Sequence, residues 1–319
     1  MNYYLAPLEG ITTYIYRNAY HSVFHPMEKY FTPFIVPRMK KGMNSREIND
    51  ILPEHNQGLF VVPQLLTNQA EDFIKVAETL AAYGYQEINL NLGCPSGTVV
   101  AKGKGAGFLA HPRELERFLE KIFSVLTMDI SIKTRIGMED PEEFEPLLEI
   151  FNQYPLKELI IHPRVREDYY RRSPNFSVFE KAMKKSAHPL CYNGNVFTKG
   201  DYQNLLEKFP ALPAVMLGRG IIANPSLRQS LEGEEPKKKK EQFQRFHTEL
   251  YQGYQKILSG DRNVLFKMKE LWSYLAQSFT DYEPYAKKIR KTGTLSDYET
   301  IVKALFREQE VVSNGRFSF

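Results

Sequence analysis

The segment Glu87-Ile88-Asn89-Leu90-Asn91-Leu92-Gly93-Cys94-Pro95 reads as a short apolar strand that delivers two amides and a thiol to a loop marked by glycine and proline. A thiol with an ordinary pKa of about 8.5 is mostly protonated at neutral pH, so Cys94 suits a general acid better than a nucleophile, which would need electropositive surroundings. The chain's second cysteine, Cys191, lies inside the apolar run 189–192 and reads as a small buried hydrophobe. Lys133, within Ser131-Ile132-Lys133-Thr134-Arg135, sits on a strand with apolar neighbours, so its ammonium points into an enclosed mouth and needs an anionic partner there. A Schiff-base lysine of an aldolase is the competing chemistry, and it leaves Cys94 without a task. Asn193-Gly194-Asn195 and Gly218-Arg219-Gly220 place glycines where backbone amides can approach closely, and Arg219 adds a guanidinium; together they suit a phosphate. Gly103-Lys104-Gly105-Ala106-Gly107 lacks the Lys-Ser/Thr ending of a phosphate-binding P-loop and reads as a flexible segment.

Eight β-rich runs, at 3–5, 29–32, 60–63, 87–91, 130–134, 159–162, 190–192 and 215–217, are available to position these groups. Helical spacing separates them, as in Phe73, Val76, Ala77 and Leu80, or Leu115, Phe118, Leu119 and Ile122. Eight strand–helix repeats predict an α/β fold of the (β/α)8 TIM-barrel type rather than an open doubly wound sheet. In such a barrel the carboxyl ends of the strands converge. Gln64 follows the third strand, Asn89 and Asn91 lie on the fourth with Cys94 just beyond, Lys133 is on the fifth, His162 ends the sixth, and Asn193 and Arg219 follow the seventh and eighth. That many strand-end polar groups predict one assembled site, with the last two loops as its phosphate cradle. A charged stretch with Gly233 and Pro236 follows Leu231 and is read as a linker. The expected domains are therefore a barrel over residues 1–235 and a small all-helical C-terminal domain over 236–319. In the latter, Phe243, Phe246, Leu250, Tyr254 and Ile257 form one apolar stripe, and Val264, Met268, Leu271, Trp272 and Leu275 another.

Taken with Ala6-Pro7-Leu8-Glu9-Gly10, the Cys94 segment and Gly218-Arg219-Gly220 occur in the order found in the dihydrouridine synthases, and over residues 5 to 228 the chain resembles that family. The resemblance implies an FMN-dependent tRNA-dihydrouridine synthase with NADPH as external reductant, reducing the C5–C6 double bond of specific uridines. It implies that Pro7, Leu8, Glu9, Gln64, Lys133, His162, Asn193, Gly194, Asn195, Gly218 and Arg219 bind FMN, with Lys133 stabilising the charge of the reduced ring. Cys94 would give the proton to C5, Asn91 would hydrogen-bond the uracil edge, and Arg164, Arg171 and Arg172 would contact the RNA, with the loop 103–107 nearby. Leu8 stands where the family more usually has Met, and Pro163 where it commonly has Gly. The segment 267–275 is similar to one in the family's helical domain, which grips tRNA after the target base is everted from its stack.

Composition is compatible with these expectations. The formal charge of +4 is modest, but residues 237–319 hold 16 Lys and Arg against 10 Asp and Glu, while residues 1–236 hold 26 against 28. The basic excess therefore lies in the last quarter, and a solvated helix face accounts for it as readily as a phosphate-binding one. No run approaches the roughly 18–20 apolar residues of a membrane span, and the start lacks signal-peptide features, so a cytoplasmic location is expected. Two cysteines nearly a hundred residues apart offer neither a disulfide framework nor metal-ligand spacing, so no metal is expected. Two further readings are a flavin barrel acting on a free pyrimidine, like a dihydroorotate dehydrogenase, and a non-catalytic RNA-binding protein. The first has no need of a basic helical domain, and the second would leave uridines unreduced.

Overall fold

The computed structural model describes residues 1–38, 42–234 and 238–312. Nine strands form one sheet in the order β3-β2-β1-β9-β8-β7-β6-β5-β4. They are β1 (Asn2–Leu5), β2 (Lys29–Phe31), β3 (Val61–Val62), β4 (Gln64–Leu65), β5 (Glu87–Leu92), β6 (Asp129–Arg135), β7 (Leu159–His162), β8 (Leu190–Asn193) and β9 (Ala214–Leu217). The sheet's two edges, β3 and β4, are separated only by Pro63, whose missing N–H interrupts the ladder. The backbone bonds run straight across that break: Tyr30 N–H to Phe60 O, Thr32 N–H to Val62 O and Ile35 N–H to Gln64 O on one side, and Asn89 N–H to Pro63 O at 2.9 Å on the other. The nine strands are thus eight staves of a closed parallel barrel, as the spacing of the β-rich runs predicts.

Alternate residues of each strand point inward. Tyr4, Ala6, Phe31, Val62, Ile160, Cys191, Ala214 and Met216 form a buried apolar cluster inside the barrel, with Leu8 packed against it. Cys191 accordingly occupies the core position expected of it. Toward the amino ends of the strands the interior is ionic: Lys29 Nζ bonds Glu87 Oε2 at 2.8 Å and also Glu158. Toward the carboxyl ends it turns polar, with Asn89, Asn91, Ser131 and Lys133. This layering follows from period-two alternation on parallel strands held in fixed register, for example Asn89 opposite Ser131 and Asn91 opposite Lys133.

Two compact units divide the chain. One comprises Met1–Tyr14, Glu28–Asn195 and Phe209–Met216; the other comprises Ile15–Met27, Val196–Lys208 and the described residues from Leu217 onward. The expected boundary between 235 and 236 lies outside the described residues. The second unit is helical, with Lys239–Ile257, Asp261–Leu275, Glu283–Lys291 and Leu295–Glu308 in its C-terminal part. Both predicted stripes are buried there except Ile257, which is 47% exposed at the end of its helix. Trp272 is core, its Nε1 donating to the Tyr298 hydroxyl at 2.7 Å, and that hydroxyl lies 2.6 Å from His247 Nε2. Among the described residues no helix is long and apolar enough to cross a membrane.

Candidate active site

At the carboxyl end of the barrel, side-chain amides form a directed chain. Asn91 Nδ2 donates to Gln64 Oε1 at 2.7 Å, Gln64 Nε2 to Asn89 Oδ1 at 2.8 Å, and Asn89 Nδ2 to Ser131 Oγ at 2.9 Å. The strand register brings these residues together, since Gln64 lies opposite Asn89 and Asn89 opposite Ser131. Oδ1 of Asn91 in turn accepts the backbone N–H groups of Gly93 at 3.0 Å and Cys94 at 2.9 Å. An amide that terminates a buried polar chain therefore fixes the first residues of the thiol-bearing loop. Its oxygen is committed to that loop, so toward a substrate Asn91 has only an N–H to offer.

The Cys94 carbonyl is held as well, accepting from Ala106 N–H at 3.1 Å. The thiol is half-buried, and burial raises its pKa above the ordinary range; the Ser96 N–H, Arg135 and Lys133 act the other way without reversing the shift. Cys94 is held as a protonated thiol. The segment 103–107 differs from expectation. Gly105 through Leu109 are buried within the short 3-10 helix Gly105–Ala110, packed against the Cys94 loop, where the glycine content suggests flexibility. Glycine here serves close approach, which composition alone does not distinguish from looseness.

Lys133 points into the barrel and has no hydrogen-bond or ion-pair partner among the described residues. Burial, reinforced by the nearby Arg135, lowers its pKa to about 8. Arg135 is a residue that the sequence reasoning misses, although it follows Lys133 by two and so shares its face. It is fully buried, and its guanidinium reaches three carbonyls: Gly93 O at 3.1 Å, Val165 O at 2.8 Å and Tyr169 O at 2.7 Å. It thereby ties the Cys94 loop to the loop after β7. That second loop is strained at Tyr169, whose φ is 48°, and it sets Tyr170 5.5 Å from the Arg135 guanidinium and 5.9 Å from the His162 ring.

The remaining candidate residues divide clearly. His162 is buried, its Nε2 2.7 Å from Arg164 Nη1. The sequence expectation places Arg164 on RNA, but it is 1% exposed and turned inward, with Nε donating to the Arg172 carbonyl at 2.6 Å. Arg171 and Arg172 are exposed. Pro163 is buried, and its carbonyl accepts Asn175 N–H. Pro7 and Leu8 are half-buried, whereas Glu9 is exposed and pairs with Arg46. Asn193 Nδ2 donates to Met216 O at 2.9 Å, which locks the start of the Asn193-Gly194-Asn195 loop onto β9. In the second unit, the Arg219 guanidinium lies 5.4 Å from the Phe197 ring, and Gly220 packs so closely on Val196 O that a Cβ would stand 2.2 Å from it.

A profile of the dihydrouridine synthase (Dus) family matches residues 4–313. The chain belongs to the dihydrouridine synthase family. A probable tRNA-dihydrouridine synthase of Staphylococcus aureus (strain COL) is 26% identical over 260 residues, 79% of this chain and 78% of that protein. The probable tRNA-dihydrouridine synthase 2 of Bacillus subtilis (strain 168) is 25% identical over the same shares. Among solved structures, morphinone reductase in complex with tetrahydroNAD aligns with a TM-score of 0.51 at 14% identity, covering 72% of this chain and 86% of that one. Histamine dehydrogenase from Rhizobium sp. 4-9 aligns with a TM-score of 0.54 at 12% identity over 73% of this chain, which spans 45% of that longer chain. These two likenesses show the barrel fold. As a dihydrouridine synthase family member, the protein is an oxidoreductase.

Proposed function

We propose that the protein reduces the C5–C6 double bond of a uridine in tRNA, with Cys94 as proton donor, FMN as resident cofactor and NADPH as reductant. The observation that carries this reading is Cys94 itself: held at its N–H by Asn91 and at its carbonyl by Ala106, with burial keeping the thiol protonated. An acid must carry its proton until the acceptor arrives, and a fixed backbone sets the direction of transfer. Lys133 supports a flavin, because a half-buried ammonium without a partner among the described residues fits the anionic edge of that ring. Bound in reduced form, FMN would supply the hydride that adds to C6. An imine-forming lysine would also suit a pKa of about 8, but it gives Cys94 no role. Pro7, Leu8, Glu9, Gln64 and His162 would line the ring, and Asn193, Gly194 and Asn195 would hold the phosphate; assignment of Gly218 and Arg219 to the phosphate rests on the motif. Asn91 would offer its remaining N–H to the uracil.

The tRNA is assigned to exposed basic residues: Arg171 and Arg172 after β7, and Lys287, Lys288, Arg290 and Lys291 on the helix Glu283–Lys291. Lys267 and Lys269 are less suited, since they bond Glu270 and the Thr292 carbonyl. Residues 236–319 would form the RNA-binding domain and 1–235 the catalytic one, in a cytoplasmic enzyme. The test is Cys94→Ala. The variant should keep its flavin and its reduction by NADPH but lose dihydrouridine formation on tRNA. An undiminished rate refutes the proton-donor role; a colourless wild-type protein refutes the flavin.

A further inference from the structure

The wall behind Cys94 is made by a residue that contributes no side chain. Gly105 has φ +57°, and a Cβ built on it would lie 2.9 Å from both the Cβ and the carbonyl oxygen of Cys94, and 3.0 Å from Val99 Cγ1. Two of those three atoms belong to the Cys94 backbone or its first side-chain carbon, so neither can swing aside as the tip of a long side chain would. The next residue, Ala106, donates its N–H to the Cys94 carbonyl at 3.1 Å. Two residues beyond Gly105, a Cβ on Gly107 would stand 2.7 Å from the Val100 carbonyl. The segment 105–107 thus lies close against 94 and 99–100, an approach that at 105 and 107 only glycine permits.

We propose that Gly105 is a positioning residue for Cys94: the 105–106 backbone is a backstop that sets where the thiol stands, and any side chain at 105 displaces it. The inference rests on Cys94 as the proton donor. The bonds to the Cys94 N–H and carbonyl, with the close approach of Gly105 to its Cβ and carbonyl oxygen, fix the backbone and the first side-chain carbon from which the half-buried thiol extends. Proton transfer is steeply sensitive to geometry, a misplacement of about 1 Å costing on the order of a hundredfold in rate. Gly105→Ala should therefore slow dihydrouridine formation by about ten- to a hundredfold, mainly in kcat, with KM for tRNA, flavin content and flavin reduction by NADPH unchanged.

The experiment uses purified holoenzyme of the wild type, Gly105→Ala, Cys94→Ala and Gly97→Ala. Gly97 lies in the same stretch, has open space around it and no positive φ, so its alanine variant should match the wild type. Two readouts are combined: single-turnover reduction of tRNA, and the pH profile of Cys94 alkylation by iodoacetamide followed by mass spectrometry. Cys191 is fully buried and serves as a silent internal reference. Displacing the thiol from its half-buried seat should move the alkylation midpoint down toward that of an ordinary thiol, a change that a merely destabilising substitution would not produce in the folded enzyme. A slow Gly105→Ala with a shifted alkylation profile supports the role. A wild-type rate, or a slow rate with an unmoved profile, overturns it. If Gly105→Ala does not fold, Ala106→Pro, which removes the N–H bonded to the Cys94 carbonyl and also restrains the backbone at 105 and 106, carries the same expectation and the same refutation. Full activity in Cys94→Ala sinks the donor reading and this inference together; an inactive Cys94→Ala beside a fully active Gly105→Ala sinks the positioning role alone.

Discussion

Replacing Asn91 by Ala tests how the barrel transmits order to the thiol. The substitution removes two bonds to the loop, from Gly93 N–H at 3.0 Å and Cys94 N–H at 2.9 Å, and leaves Gln64 Oε1 without its donor at 2.7 Å. Each such bond contributes a net ~1 kcal/mol, so the held loop loses about 2 kcal/mol relative to its alternatives. At about 1.4 kcal/mol per decade, the equilibrium between the held loop and its alternatives shifts roughly 30-fold toward the alternatives. Single-turnover reduction of tRNA by pre-reduced enzyme should fall by up to that factor, with flavin content unchanged by absorbance. Asn91→Asp separates the two halves of the residue: it keeps the acceptor for Gly93 and Cys94 but loses the donor to Gln64. It should retain flavin and recover part of kcat while raising KM, if the remaining N–H meets the uracil. A kcat within twofold of wild type in Asn91→Ala would refute the reasoning, because the loop would then be held by something other than this amide.

Four further outcomes are expected. Lys133, with its pKa lowered to about 8 by burial, is protonated below that pH, so FMN affinity of the apoprotein should weaken as pH rises past about 8, and Lys133→Met should abolish the dependence; flavin fluorescence titrations at pH 7 and 9.5 check both. Arg135→Lys keeps the charge but cannot reach three carbonyls at once, and should cost about 2 kcal/mol in denaturant unfolding while loosening the Cys94 loop; an unchanged midpoint and slope would count against the clamp. His247 has its pKa lowered to about 4 by burial, so between pH 6.5 and 4 the unfolded chain binds the proton and the native one does not. Stability should therefore fall as pH drops through that window, by up to roughly 3 kcal/mol, with the loss shrinking in His247→Gln, followed by the fluorescence of the chain's single tryptophan, Trp272. Finally, Lys287→Glu with Arg290→Glu should weaken tRNA binding and reduce the slope of log affinity against log salt by about 0.7 for each phosphate that is no longer neutralised, while a free-uridine assay, if any activity is found, stays unaffected.

The motifs are legible wherever chemistry demands a particular residue type in a particular place. Cys94 stands out because a thiol between Gly93 and Pro95 has no packing rationale, whereas Cys191 inside 189–192 has one, and the structure places the first at the barrel's end and the second in its core. Eight β-rich runs separated by helical periodicity are enough to predict the barrel. One detail emerges only in the fold: the third run is split by Pro63, and its two pieces pair with different neighbours to close the ring.

Residue order does not show which long-range pairs share a bond. Arg135 is fixed by carbonyls 30, 34 and 42 positions away, and a carbonyl has no residue signature. Arg164 reads as a surface arginine by type but is drawn inward by His162 and the Arg172 carbonyl. Gly105 is the sharpest case. The string Gly-Lys-Gly-Ala-Gly is equally compatible with a loose tether and with a tight wall, and only its approach to Cys94 distinguishes them. Chain order names the groups that are present and the strand that carries each. Which of them touch is settled by the folded barrel, because hydrogen bonds and steric contacts depend on distances across it that linear order does not encode.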